Sequence, residues 1–303
     1  MIRMFPDDEA AERWFYAQRW PDGLCCPRCG DTNVQQKTTH PTMPHRCRGC
    51  RKFFSVRTGT PMEASNLGLQ VWALAIYLLC THLKGQSSMK LHRDLSVTQK
   101  TAWHLAHRIR EAWNEGNPPP WEDRFDGPVE VDETFMGGLE KNKHRSKRLR
   151  VGGGTAGKVV VAGMKDRATN QVKAAVVPNR ERWVLQTFIR NRAKAGATVY
   201  TDDFSGYKNL PDYAHEPVNH SVGEYVRGKA HTQGIESMWS MLKRGHKGTY
   251  HRMSWRHLNR YVNKFTGRHN QRELDTLDQM TQVVLGMNGK RLRYTDLTGR
   301  RAA

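Results

Sequence analysis

Two Cys-x2-Cys pairs, Cys26-Pro-Arg-Cys29 and Cys47-Arg-Gly-Cys50, stand seventeen residues apart and constrain the N-terminal part of the chain more than any other feature. Each knuckle turns two thiolates to one side and a tetrahedral Zn2+ needs four. The spacing therefore predicts a zinc ribbon with Cys26, Cys29, Cys47 and Cys50 as ligands. Gly30 and Gly49 suit the turns, residues 52–56 suit a following strand, and Cys25 is the spare thiol, with His40 and His45 also on offer to a metal. So small a module cannot fold on apolar burial alone, and the metal supplies its stability. Four thiolates leave no open position for a reactive water, so this zinc is expected to be structural rather than catalytic.

Charge bounds the partner. Lys plus Arg number 49 against 29 Asp plus Glu, a net charge of +20 with a pI near 10, and such a field attracts polyanions, nucleic acid first among them. The longest apolar run, residues 71–80, is too short to span a membrane and is not N-terminal. No membrane association is expected, and the chain is placed in the cytoplasm. Five of the six cysteines crowd into residues 25–50, which without an export signal favours metal over disulfides.

Four regions follow from the pattern: 1–60, an N-terminal helix and the ribbon; 61–117, helical; 122–272, an α/β domain; and 273–303, a C-terminal helical tail. In the first, Ala10, Trp14, Phe15 and Trp20 supply the apolar side of a helix. In the second, Asn66 is the expected cap of a helix burying Leu67, Val71, Leu74, Ala75, Leu78 and Leu79. Ser87 or Ser88 starts a short helix, residues 94–97 turn, and Thr98 caps the next. That is the layout of a helix-turn-helix, whose second helix would present Gln99, Lys100, His104 and Arg108 to a major groove. A plain packing hairpin has the same pattern. Residues 117–120, Asn-Pro-Pro-Pro, end the region, because proline cannot continue a helix.

Beyond the prolines the period changes to two. Residues 129–135, 159–164 and 172–177 read as strands, residues 181–193 as a helix with Trp183, Val184, Phe188 and Ile189 on one side, and Val199-Tyr200 as a strand leading into Asp202. Three strands, a helix and a further strand ending in a carboxylate is the order of a ribonuclease-H-like α/β domain. Asp132 sits inside an otherwise apolar strand, where a carboxylate is costly unless it is paired or binds a metal. Asp202 lies at a strand end, and Glu236 lies in a helix started near residues 231–234. Converging, the three would form a hard-oxygen site for two Mg2+ or Mn2+ ions about 4 Å apart. Unconverged, they are a turn residue, a core acid and a solvated helix residue.

Three blocks then carry a resemblance. Val131-Asp132-Glu133-Thr134 with Gly137-Gly138 and Glu140-Lys141-Asn142-Lys143-His144 is the first, and Tyr200-Thr201-Asp202 with Ser205-Gly206-Tyr207 the second. His231-Thr232-Gln233-Gly234-Ile235-Glu236-Ser237 with Trp239-Ser240 and Leu242-Lys243-Arg244-Gly245 is the third. Together they resemble the DDE-type transposases of bacterial insertion sequences, the branch with an N-terminal zinc ribbon. The resemblance implies that Asp132, Asp202 and Glu236 bind the catalytic metals. It implies too that Lys243, two helical turns past Glu236, holds substrate phosphate. Glu236 is preferred to Gln233 as third ligand because a carboxylate neutralises a dication and an amide does not. The implied reaction is cleavage at the 3′ ends of the terminal inverted repeats and their joining to target DNA, by a homodimer or larger assembly without a small-molecule cofactor.

Two basic features fit a DNA partner. Residues 141–150 hold Lys141, Lys143, His144, Arg145, Lys147 and Arg148 with no acid, and are expected to form a flexible arm that orders on phosphates rather than a solvated loop. From Ser237 through Arg272 no residue is acidic and nine are Lys or Arg. There Arg252, Arg256, Arg260, Lys264, Arg268 and Arg272 recur every four positions, a stripe which with Lys243 and Arg244 would face double-stranded DNA. Two rivals are a zinc-ribbon DNA-binding regulator with a catalytically dead α/β domain, and a nuclease of the same fold that cleaves without joining.

Overall fold

The structure, a computed structural model, describes residues 1, 3–115, 123–138, 140–149, 154–218 and 231–299, with the side chains of Lys141 and Lys147 outside it. The chain divides into two compact units, Met1–Asn114 with Leu274–Ala303, and Glu115–Glu273.

The first unit opens with α1 (Asp8–Arg19), capped by the Asp7 carboxylate, which accepts from the Ala10 amide at 2.7 Å. Its buried residues are Ala11, Phe15 and Arg19; of the expected apolar side Phe15 is fully buried and Trp14 and Trp20 pack half-buried against the same core. Three short antiparallel strands follow, β1 (Val34–Gln35), β2 (His45–Cys47) and β3 (Phe53–Phe54), with β2 central.

Helix α2 (Leu69–Thr81) is capped by Gly68 rather than by Asn66. The capping group is remote: the Asp8 carboxylate accepts from the Gln70 amide at 2.8 Å and stands where a Gly68 side chain would be. Leu69, Trp72, Ala73, Ala75, Ile76, Leu79 and Cys80 are buried; of the expected stripe only Ala75 and Leu79 are, while Leu67, Val71, Leu74 and Leu78 are half-buried, so the core side is rotated around the helix from the expected one. The next two starts are local. Ser87 caps α3 (Ser88–Asp94) and Thr98 caps α4 (Gln99–Arg110), each through its hydroxyl, and Ser96 turns the chain between them at φ 52°.

The second unit is a mixed sheet of five strands, β4 (Val129–Met136), β5 (Val159–Asp166), β6 (Val172–Val177), β7 (Thr198–Asp202) and β8 (Ala214–Val218), in the order β6-β5-β4-β7-β8. The β4–β5 and β5–β6 pairs are antiparallel, and the β4–β7 and β7–β8 pairs parallel. Between β6 and β7 lies α5 (Arg182–Arg190), and after β8 come α6 (Gln233–Gly245), a π-helical turn (His246–Tyr250) and α7 (Leu258–Asn270).

Side chains alternate across the sheet. Val129 and Val131 join Leu185, Phe188 and Ile189 of α5 in one core. Met136 joins Ile235, Met238, Trp239 and Phe265 of α6 and α7 in a second core on the other face. The even-numbered residues of β4, Glu130 and Asp132 among them, therefore face α6.

The chain then returns to the first unit. Met280, Val283 and Val284 of α8 (Thr276–Gly286) and Met287 after it enter the same core as Phe15, Trp72 and Ile109. A Cβ at Gly286 would lie 2.5 Å from the Ala112 carbonyl oxygen, so only glycine allows this approach. Helix α9 (Tyr294–Thr298) lays the Tyr294 ring against His104 of α4. No helix among the described residues is long and apolar enough to cross a membrane.

Candidate active site and metal centre

The four ribbon cysteines converge. Their sulfurs all lie within 4.8 Å of one another, with Cys26 to Cys50 at 3.7 Å and Cys29 to Cys47 at 3.6 Å. Tetrahedral zinc with bonds near 2.3 Å separates its sulfurs by about 3.8 Å, so the donor set fits Zn2+. Cys25 stays outside the group. His45 is committed to the Tyr16 hydroxyl, and His40 Nδ1 accepts from the Thr42 and Met43 amides at 3.2 Å. Gly30 has φ 77° as a turn demands, whereas Gly49 is needed because the Asp31 carboxylate occupies the place of its side chain.

In the second unit, the parallel register pairs Glu130 with Tyr200. Asp132 and Asp202 each follow two residues later on these neighbouring strands, and the charge of Asp202 reaches Asp132. Asp132 is pushed up to about 7 by burial first, then by the charges of Glu133 and Asp202. Two carboxylates side by side in a half-enclosed place are a liability that a cation relieves. Glu133 points the other way, where its carboxylate accepts from the Tyr207 hydroxyl at 2.6 Å.

Helix α6 is tied to β4 at two points. At its start the Glu130 carboxylate accepts from the Ile235 amide at 3.0 Å, the role an N-cap side chain usually fills. A Gly234 side chain would strike that carboxylate at 2.7 Å, which explains the glycine of the third block. Glu130 is 2% exposed and ion-paired with Arg167 at 2.8 Å, while Arg167 donates to the His231 carbonyl at 2.6 Å and lies 4.0 Å from the Tyr200 ring centroid.

One turn later the Trp239 indole N–H donates to Asp132 Oδ2 at 2.9 Å. The indole lies over Gly163, the cross-strand partner of Asp132, where an added Cβ would come within 2.5 Å of the ring. Glu236 shares this helix but turns back, accepting from the Thr232 hydroxyl at 2.8 Å. Among the described residues only the cysteines bring three metal-ligating groups within 4.8 Å, so Asp132, Asp202 and Glu236 do not close to that distance. Lys243 is exposed two turns along α6. Glu130, Arg167, Gly163 and Trp239 were missed as functional residues; the one signal for Glu130 was its position two residues before Asp132, hence on the same face.

The expected DNA-facing residues divide. Gln99, Lys100, His144, Arg145, Arg148, Arg244, Arg252 and Arg256 are exposed. Arg108 is not: its guanidinium donates to the Glu63 carbonyl and lies 5.2 Å from the Trp72 ring centroid, and burial pulls it down to about 10. His104 is half-buried beneath Tyr294. Lys264 is fully buried with its ammonium 4.8 Å from the Phe265 ring centroid, and Arg260 is half-buried with a guanidinium nitrogen 3.4 Å from His257 Nδ1. The loop after β4 is internally tied, since Glu140 pairs with Lys143 and accepts from the Leu149 amide at 3.0 Å. Arg150 lies outside the described residues, as do the side chains of Lys141 and Lys147.

Two family models match along the chain. Residues 124–270 match the ISXO2-like transposase domain and residues 6–53 the transposase zinc-ribbon domain. An uncharacterized protein in transposable element ISH50 of Halobacterium salinarum is 28% identical over 256 residues, covering 80% of this chain and 84% of the relative. An uncharacterized transposase-like protein of Haemophilus influenzae is 28% identical over 119 residues, covering 38% of this chain and 95% of the relative. With both models matched in order along one polypeptide, the chain belongs to the family of ISXO2-like transposases that carry an N-terminal zinc ribbon.

Proposed function

We propose that the protein is a divalent-metal-dependent transposase that binds the terminal inverted repeats of its insertion sequence, cleaves at their 3′ ends and joins those ends to target DNA. The observation that carries this reading is Asp132, buried on β4 within electrostatic reach of Asp202 on the neighbouring parallel strand and held at about 7 by burial and then by the charges of Glu133 and Asp202. The strand order, with helices on both faces, supports a ribonuclease-H-like domain.

Asp132 and Asp202 would hold Mg2+ or Mn2+, with Glu236 joining by a change of side-chain rotamer away from Thr232. The bound metal supplies Lewis-acid neutralisation of the phosphate and its leaving oxygen. Trp239 aims the Asp132 carboxylate, Glu130 and Arg167 fix where α6 begins, and Lys243 attracts substrate phosphate. For DNA recognition, α3 and α4 act as a helix-turn-helix through Gln99 and Lys100. Lys143, His144, Arg145, Arg148, Arg244, Arg252 and Arg256 contact phosphates. Two DNA ends handled together call for a homodimer or larger assembly.

The test is a reaction of the zinc-loaded protein with Mg2+ or Mn2+ on DNA carrying the inverted repeats that flank its gene. Joined products that vanish in Asp132→Ala support the reading. Cleavage without joining would make it a nuclease, and specific binding without cleavage a regulator.

A further inference from the structure

A cleft of about 730 Å³ opens in the second unit between the end of β4 and the segment joining α6 to α7. Lys143, His246, His251, Arg252 and Arg256 line it with Trp255, and no carboxylate does among the described residues. Lys143 is ion-paired with Glu140, so the guanidinium groups of Arg252 and Arg256 set its sign. Gly137, Gly138 and Gly157 also line it.

Trp255 keeps 68% of its surface exposed, and the Arg256 guanidinium stands 5.4 Å from its ring centroid. An indole is among the most apolar surfaces a chain can leave in water. The backbone that presents it is unusual twice over: a π-helical turn covers His246–Tyr250, and His251 follows at φ 54°, a conformation a side chain rarely adopts. This turn is held from within, since Tyr250 packs against Tyr261 and Phe265. The ring is thus mounted on an anchored wall and aimed outward.

A flat π surface with two permanent cations beside it matches one chemistry, an aromatic base attached to a phosphate. Inside a duplex both faces of each base are already stacked, so an indole stacks only on an unpaired or terminal base. We propose that this cleft binds an unpaired DNA nucleotide, with Trp255 stacking on the base and Arg252 and Arg256 holding its flanking phosphates. The choice of DNA rests on the transposase reading; the stacking rests on the cleft.

The test uses the full zinc-loaded chain in buffer without magnesium or manganese, so that binding is read without cleavage. Fluorescence anisotropy compares a labelled single strand of mixed sequence, the same sequence as a duplex, and a single strand carrying abasic sites. Trp255→Ala is expected to weaken binding of the intact single strand by about 5- to 100-fold. Trp255→Phe should restore most of that affinity, and duplex and abasic strands should change less than about twofold in either variant. An equal loss on all three ligands, or no loss on the intact strand, would overturn the site. Strand transfer with single-strand binding insensitive to Trp255 removes the stacking site and leaves the transposase reading standing. Trp255-dependent binding without any cleavage supports the site and removes that reading instead.

Discussion

Asp132→Asn removes the ionisation that the fold holds at a disadvantage. A carboxyl group that titrates at about 7 in the folded chain and near 3.8 in the unfolded one makes folding less favourable by about 4 kcal/mol above pH 7. Partial access of water to the carboxylate lowers this to roughly 2–4 kcal/mol. The sign follows from proton uptake: between pH 4 and 7 the folded state binds the extra proton, so metal-free stability falls as pH rises through that window. The asparagine carries no such charge and can still accept from Trp239. Thermal unfolding in magnesium-free buffer with zinc retained should therefore show the variant more stable at pH 8, by about 5–15 °C for a domain of this size, and little different near pH 4. Added Mg2+ should raise the wild-type midpoint and leave the variant's unchanged. A variant no more stable than wild type at pH 8, or a gain equal at both pH values, would refute the argument that burial, and then the charges of Glu133 and Asp202, disfavour the ionised Asp132.

Other changes probe what holds the site and what meets DNA. Gly163→Ala puts a methyl group against the Trp239 ring, and the overpacking should lower stability by about 1–3 kcal/mol in urea titration and reduce cleavage further by displacing Asp132. Glu130→Gln removes the charged side of the buried Arg167 ion pair and loosens the start of α6; a loss of about 3–5 kcal/mol is expected, and an unchanged urea midpoint would contradict it. Arg256→Ala should reduce the slope of log affinity against log salt by about one on duplex DNA, whereas Lys264→Met, at a buried site, should leave that slope alone.

What could be read from the residues depended on how far away the deciding group stood. Ser87 and Thr98 cap helices within three residues of themselves, and both helix starts were legible. The cap of α2 is Asp8, 62 positions upstream, and nothing near Asn66 discloses it. Strand β8 was missed because it is an edge strand with Pro217 in it and mostly exposed side chains, so it carries no apolar alternation. The basic stripe failed on geometry. Every fourth residue of a helix advances about 400°, which overshoots a full turn by about 40°. Helix α7 also starts only at Leu258, so Arg252 and Arg256 lie before it, and within it Lys264, one step from Arg260, stands on the buried side with Tyr261 and Phe265. Asp132 stood out in the sequence as an acid inside an apolar strand, whereas Glu130 and Gly163 acquire meaning only when α6 lies across the sheet.

The return of α8 to the first unit has a consequence for synthesis. The sheet of residues 115–273 leaves the ribosome with every one of its strands, while the core shared by Phe15, Trp72 and Ile109 still waits for Met280, Val283 and Val284. The segment made first is thus the segment finished last. A nascent chain halted before residue 274 carries the complete carboxylate-bearing sheet and an N-terminal module with its apolar interior open, so the emergence of α8 is itself the step that completes the ribbon-bearing half.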